Sequence, residues 1–417
     1  MKLLKLLAAG LLAVSFAATA SAQTKIYITG STAFRGATVN AISALLAGTG
    51  TIVTASDNAS LTSANAVTWT GGSVGGNTVT IKASWSGSAG GTQTVAGNAA
   101  AALTVRFLPD GATGTANADP RNTANPAEVV RPDIAMADNL QSSTLFNGTF
   151  LGKTYLHLTD ATVGVIPFRF VASAGFPTGV SINPGLAQYL YTGGSVPLAL
   201  FTGANADESA VVYAAGRDPD SGTRIVAMAE SGVGVFNGVQ QYQPTIDTVT
   251  PFHITALNLY PATTINGVPI TDGNSGESSG GSLRGFTNHV LDASAYDPNG
   301  FGYTAGYVMT YLGVSDAASA IGGSPAGVPL LWNGVDFSVT AVQEGQYTFW
   351  GFEHILWRSN LGDGTTDGGP AVKLTFGNNL KTGILNTAQA SLQPNVKLST
   401  MNVTRLKEGA QITAKYF

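Results

Sequence analysis

The sequence predicts an exported α/β protein of more than one lobe, and three observations carry that expectation. The chain has 417 residues, beyond the roughly 250–300 at which a single hydrophobic core stops growing. Short runs with apolar residues at every second position alternate with stretches whose apolar residues recur three and four apart, the alternation that builds sheets flanked by helices. At the start, Lys2 and Lys5 precede an apolar run from Leu6 to Ala20, and Ala20-Ser21-Ala22 supplies small residues for a leader peptidase. A signal peptide over residues 1–22 is expected, with cleavage after Ala22 and a periplasmic or secreted mature chain beginning at Gln23.

The first element expected is a strand over Lys25–Gly30, with Ile26 and Ile28 on one face, ending in a Gly-Ser-Thr turn. A helix follows, because Phe34, Ala37, Ala41 and Leu45 form one stripe. Val79, Ile81, Ala83 and Trp85 alternate as a second strand that stops at the polar turn SGSAGG. Residues 98–131, rich in Ala, Asn, Thr and Pro, read as an irregular insertion. DIAMADN, residues 133–139, reads as a short strand with Asp138 at its end. In VGVIPFRFVA, residues 163–172, the proline predicts an edge strand or a crossing segment. AVVYAA, residues 210–215, is a buried strand running into GRDPDSGTR, after which Ile225, Met228 and Ala229 mark a short helix ending near Gly232. Residues 271–282 read as a polar loop, 302–312 as an apolar segment with glycines, and the tail from Ala371 as short β-like runs. GQYTFWGFEHILW, residues 345–357, is assigned to core or interlobe packing.

Composition removes several function classes. Only 11% of residues are charged and the net charge is −4, which leaves no basic footprint for a nucleic-acid backbone. Cysteine is absent, excluding disulfides, thiol chemistry and cysteine metal sites. No later run approaches the roughly 18–20 apolar residues of a membrane span. The four histidines have no metal-ligand spacing and are assigned to surface or half-buried positions. No cofactor and no metal are expected.

What remains is a set of turns suited to anions. A helix N-terminus exposes unpaired N–H groups and the positive end of its dipole. Gly30-Ser31-Thr32-Ala33 and Ser221-Gly222-Thr223 have this chemistry, Gly87-Ser88-Ala89-Gly90-Gly91 has it in looser form, and Arg217 lies beside the second. One such turn is ordinarily only a helix cap. Three in one chain favour a shared oxyanion site.

GSTAF, WSGSAGG, DIAMADN, the VIPF run and RDPDSGT follow the order found in phosphate-type periplasmic substrate-binding proteins of ABC importers, and over residues 24–230 the chain resembles that family. The resemblance implies a two-lobed type II periplasmic binding protein fold with a hinge, its mixed sheets flanked by helices. Lobe 1 would take residues 23–165, lobe 2 residues 166–335, and residues 336–417 would return to lobe 1. It implies a monomeric, non-enzymatic protein that captures phosphate or a related oxyanion and hands it to an importer permease. Carried over by position, the ligand-binding roles fall on Thr32, Ala33, Ser88, Asp138, Arg217, Ser221, Gly222 and Thr223. Arg217 would supply a planar fork for two oxygens. Asp138 would accept the proton that phosphate carries and sulfate lacks.

The chain departs from the family where an acidic residue often stands two before the serine. Pro219 occupies that place here, flanked by Asp218 and Asp220, which are read as arginine orienters or helix caps. Arg35 and Arg224, just inside the two helices, could enlarge the positive field but are read as solvated surface charges. Two other functions stay open: a secreted or surface-associated binding fold with an adhesion, scavenging or matrix role, and a serine hydrolase using Ser278. Gly276-Glu277-Ser278-Ser279-Gly280 matches G-x-S-x-G, but a turn precedes it where a strand is needed. The calcium-like Asp272–Gly276 run has Leu283 where the closing glutamate belongs.

Overall fold

The computed structural model describes residues 23–247, 249, 252–386 and 396–415; the expected leader and its cleavage site lie outside them. Ten strands run along one mixed sheet: β1 (Thr24–Gly30), β2 (Val53–Ser56), β3 (Ala66–Val74), β4 (Asn77–Ser84), β5 (Ile134–Ala137), β6 (Leu158–Ala172), β7 (Ser195–Pro197), β8 (Ala210–Ala214), β9 (Ala305–Gly313) and β10 (Trp350–Arg358). Their order in space is β7-β8-β9-β6-β10-β5-β1-β4-β3-β2, and the short strand Val328–Pro329 adds to β6. The principal helices are α1 (Arg35–Leu46), α2 (Ser88–Ala96), α3 (Pro184–Gly193), α4 (Gly222–Glu230), α5 (Gly280–Gly285), α6 (Val314–Ile321) and α7 (Val372–Asn386). The architecture is α/β, a mixed sheet with helices packed on it.

β6 organises the molecule. Its residues 158–167 pair antiparallel with β10, and residues 168–172 pair antiparallel with β9, so the partner changes immediately after Pro167. The expected edge position is therefore not found: β6 is the crossing segment, inside the sheet. Proline fits because its register position pairs with Trp350 on one side and lies one residue before the β9 ladder begins on the other. β1 runs parallel to β4 and β5, and β8 parallel to β9. Because β10 is antiparallel to both β6 and β5, the first group runs with β6 and the second against it. The carboxyl ends of both parallel groups consequently point at the same level of the sheet, midway along β6.

The core follows the sequence pattern in most places. Ile26 and Ile28 of β1, Ile81 of β4, Ile134 of β5 and Val212 of β8 are fully buried. Ala37, Ala41, Ile42 and Leu46 set α1 on that core. The aromatic segment before and within β10 is interior, with Tyr347, Phe349 and Trp350 fully buried. Phe170 of β6 stacks on Phe349 at 5.0 Å and on Trp332 at 5.6 Å.

Three elements differ from expectation. The SGSAGG turn is the start of α2, every residue of which is buried; two glycines lower helix propensity, but this helix is fixed by packing. A Cβ on Gly91 would lie 2.7 Å from Gly30 Cα, so the glycine lets α2 press onto the end of β1. The tail from residue 371 does not begin with β-like runs: α7 packs Phe376, Leu380 and Ile384 on the main core, and short strands lie further on, at Val403–Thr404 and Thr413–Ala414. The expected irregular stretch 98–131 is anchored by a small ladder, Val105–Phe107 with Glu128–Val130. The buried Lys82 ammonium ties it to β4 by bonding the Leu108 carbonyl and Asp110 Oδ1, both at 2.8 Å.

Candidate functional site

The three turns meet. β1 delivers Ser31–Ala33, β4 delivers Ser86–Ser88, β5 delivers Asp138 and Asn139, and β8 delivers Gly216–Thr223, all at the level where the carboxyl ends converge. Ser31 Oγ donates to Asp138 Oδ1, and Thr223 Oγ1 makes a long contact, 3.4 Å, with Asp138 Oδ2. The Asp138 N–H donates to Ser88 Oγ at 3.1 Å. Gly222, first residue of α4, faces the start of α2 so closely that a Cβ there would lie 2.4 Å from Ser88 Oγ. Arg217 Nη2 lies 3.4 Å from Thr32 Oγ1. All eight expected positions, Thr32, Ala33, Ser88, Asp138, Arg217, Ser221, Gly222 and Thr223, thus fall in one cluster.

The cluster is rich in unused donors. Among the described residues, the backbone N–H groups of Thr32, Ala33, Ser88, Gly222 and Thr223 donate no hydrogen bond to the protein. Ser88, Gly222 and Thr223 open helices of nine residues, where orphan amides and the helix dipole add. The Ser221 hydroxyl accepts from the Arg224 N–H at 3.3 Å as the cap of α4, leaving its hydrogen to donate elsewhere. Asp138 sits opposite these donors with 2% of its surface exposed.

Arg217 is also nearly buried, at 2% exposure, and it is not oriented by a carboxylate. Nε donates to the Glu277 carbonyl at 2.8 Å and Nη2 to the Ser278 carbonyl at 2.9 Å. The reading of Asp218 and Asp220 as arginine orienters is replaced by these two main-chain oxygens, which the polar loop 271–278 brings alongside. Asp218 instead accepts from the Asp220 N–H at 3.1 Å, a local turn bond, and Asp220 Oδ2 accepts from Asn266 Nδ2 at 2.6 Å. Burial pushes Asp218 up to about 6 and Asp220 well above the usual carboxylate range, the latter reinforced by Asp218.

Arg224 is corrected as well: it is 6% exposed and braces the loop. Its Nη1 donates to the Arg217 carbonyl at 3.1 Å and to the Asn274 carbonyl at 2.7 Å. Arg35 is half-buried and bonds Asn65 Oδ1 at 3.1 Å. Tyr311 completes the brace, accepting the Arg217 N–H at 3.0 Å and donating to Gln241 at 3.0 Å. No motif signals Tyr311, Gln241 or Asn274, because their role depends on β9 and on loops distant in sequence.

Glu353 of β10 is a further residue that sequence reasoning misses. It is fully buried and neither Oε atom meets a partner at regular hydrogen-bond geometry. Burial first, and then the Asp138 carboxylate, push its pKa well above the carboxylate range. The two carboxyl groups, Glu353 and Asp138, thus disfavour each other's charge across the back of the site.

The hydrolase geometry is not assembled. A turn precedes Ser278, whose carbonyl holds Arg217, and Ser279 caps α5. His289 and His354 are buried rather than at the surface: His289 Nδ1 bonds the Gly285 carbonyl, and His354 Nδ1 bonds Asp160 Oδ1 at 2.7 Å.

Solved structures of phosphate-binding proteins are similar to this chain in architecture. An ABC-type phosphate transport receptor from Vibrio cholerae is 10% identical with a TM-score of 0.43, covering 89% of this chain and 99% of its own. PstS from Borrelia burgdorferi is 11% identical at a TM-score of 0.38, covering 90% and 99%. A phosphate-binding protein from Stenotrophomonas maltophilia is 15% identical at 0.34, covering 80% and 78%. No protein-family model matches the sequence, and no curated protein matches it. At that level of identity and superposition the likeness is one of overall architecture, and the chemistry of the site is read from its own atoms.

Proposed function

We propose that the chain is a non-enzymatic solute-binding protein that closes over phosphate or a similar tetrahedral oxyanion. The observation that carries this is the meeting around the buried Asp138 of three turns remote in sequence, which hold five backbone N–H groups unpartnered among the described residues, with the buried Arg217 beside Thr32. Such donors hold an anion without titratable groups. The Asp138 carboxylate faces them as an acceptor, so a ligand that carries a proton is favoured over one that is only an acceptor. Lobes at 23–165 and 166–335, with 336–417 returning to the first, would each bring part of the grip, and ligand would stabilise the closed pair. Export to the periplasm and delivery to an ABC importer permease complete the reading.

Calorimetry on the mature chain tests it. Phosphate is expected to bind and sulfate to bind at least tenfold more weakly. Arg217→Ala is expected to weaken phosphate binding by about 1.5–3 kcal/mol, the scale of a charged hydrogen bond. Absence of heat with millimolar phosphate would sink the reading. An unaltered affinity in the variant would put the ligand elsewhere.

A further inference from the structure

A hollow opens beside this cluster. Thr32 and Ala33, whose amides belong to the donor cluster, also line a cavity of about 420 Å³ walled by Arg35 on one side and by Arg284 and Asp316 on the other. Arg35 comes from α1, Arg284 from α5 and Asp316 from α6, so its walls come from both sides of β6. The remaining polar wall is hydroxyl and amide, including Thr62, Ser63 and Ser315.

The charge in this hollow is positive. Among the described residues, neither guanidinium lies within 4.0 Å of a carboxylate, and the Arg284 side chain makes no hydrogen bond. Burial pushes the Asp316 carboxyl up, toward its neutral form; Arg35, then Arg284 and Arg217, oppose that shift. Burial pushes Arg35 down; Asp316 and Asp57 oppose that shift, and Arg121 and Arg217 add to it. The arginine of the anion site and the arginine of the hollow are thus close enough to feel one another. In a chain with 11% charged residues, three arginines around one half-buried aspartate are a concentration of positive charge that a single tetrahedral anion at Thr32 and Arg217 would not use.

We infer that this cleft takes an oxyanion bearing a second anionic group, a diphosphate: one phosphoryl at the Thr32–Arg217 donors and the other between Arg35 and Arg284. The inference rests on the oxyanion reading above and extends it to a substrate class. The guanidinium forks suit phosphoryl oxygens, and the hydroxyls of the wall add donors without charge.

The test is calorimetry of the mature chain with phosphate and with pyrophosphate at one fixed ionic strength, so that screening is the same for both. Pyrophosphate is expected to bind at least tenfold more tightly than phosphate. In Arg284→Gln, and independently in Arg35→Gln, that ratio is expected to fall to about one. Equal affinities in the wild type would overturn the inference while leaving the oxyanion site standing. A ratio that both variants preserve would overturn it too, assigning the preference to overall charge. If neither anion binds, the oxyanion reading fails and this one with it. Circular dichroism and thermal melting of both variants separate a lost subsite from a lost fold.

Discussion

At the scale of single residues, the site pairs a carboxylate that accepts hydrogen bonds with a carboxyl whose burial favours its protonated form. Asp138 accepts a hydrogen bond from the Ser31 hydroxyl, whereas Glu353 is fully buried in β10. Because burial raises the folded pKa of Glu353, both folded and unfolded chains hold its proton below about 4.3, the ordinary glutamate value. Above that value the unfolded chain releases the proton and the folded one keeps it, so stability falls with rising pH. Asp218, at about 6, and Asp220 act with the same sign. Glu353→Gln has nothing to release. Its stability relative to wild type, measured by urea unfolding at pH 4.5 and pH 7.5, is expected to be higher at pH 7.5. A difference that does not change with pH would show that Glu353 ionises freely in the fold.

Among the elements, α2 depends most on what its residues lack. A side chain on Gly91 would strike Gly30, and one on Gly90 would lie 2.7 Å from Asp220 Oδ2. Gly91→Ala is expected to destabilise the protein by about 1–3 kcal/mol, the range for overpacking, with a lowered denaturant midpoint. A midpoint at or above wild type would mean that α2 can move off β1. Alternating apolar residues made β1 and β4 legible in the sequence, and a continuous apolar run did the same for β8, whose every residue is buried. The turns stood out only as a set: one Gly-Ser-Thr turn is ordinarily a helix cap, and it was their recurrence at three strand ends that marked them. α2 was not legible, since its helicity comes from packing on β5, β1 and β10. Nor was α7, whose Phe376, Leu380 and Ile384 stripe is interrupted by Gly377, Asn378, Asn379 and Gly383, residues that read as turns. Arg224 was misplaced because nothing local distinguishes a solvated arginine from one whose partners lie fifty residues away at Asn274.

For the whole molecule, the sides of β6 are joined at the helix tips by few bonds, among them the Ala89 N–H to the Asp220 carbonyl at 2.8 Å and Gln93 Nε2 to the Asn266 carbonyl at 3.0 Å. Under the proposed closure, ligand adds to these bonds, and small-angle scattering is expected to give a smaller radius of gyration with phosphate than without. A profile that ligand leaves unchanged would count against hinge motion. The same binding should raise the unfolding free energy by about 2.7 kcal/mol when phosphate is at a hundred times its Kd.

The position of β10 has a consequence in time. This strand stands between β6 and β5, so the sheet that contains β1 and β4 has its interior partner at residues 350–358, and α1 waits for α7, which ends at residue 386, to cover it. A chain emerging residue by residue begins this part first and completes it last. Its earliest strands remain half-covered until nearly the whole polypeptide is available, and pairing over such separations is intrinsically slow.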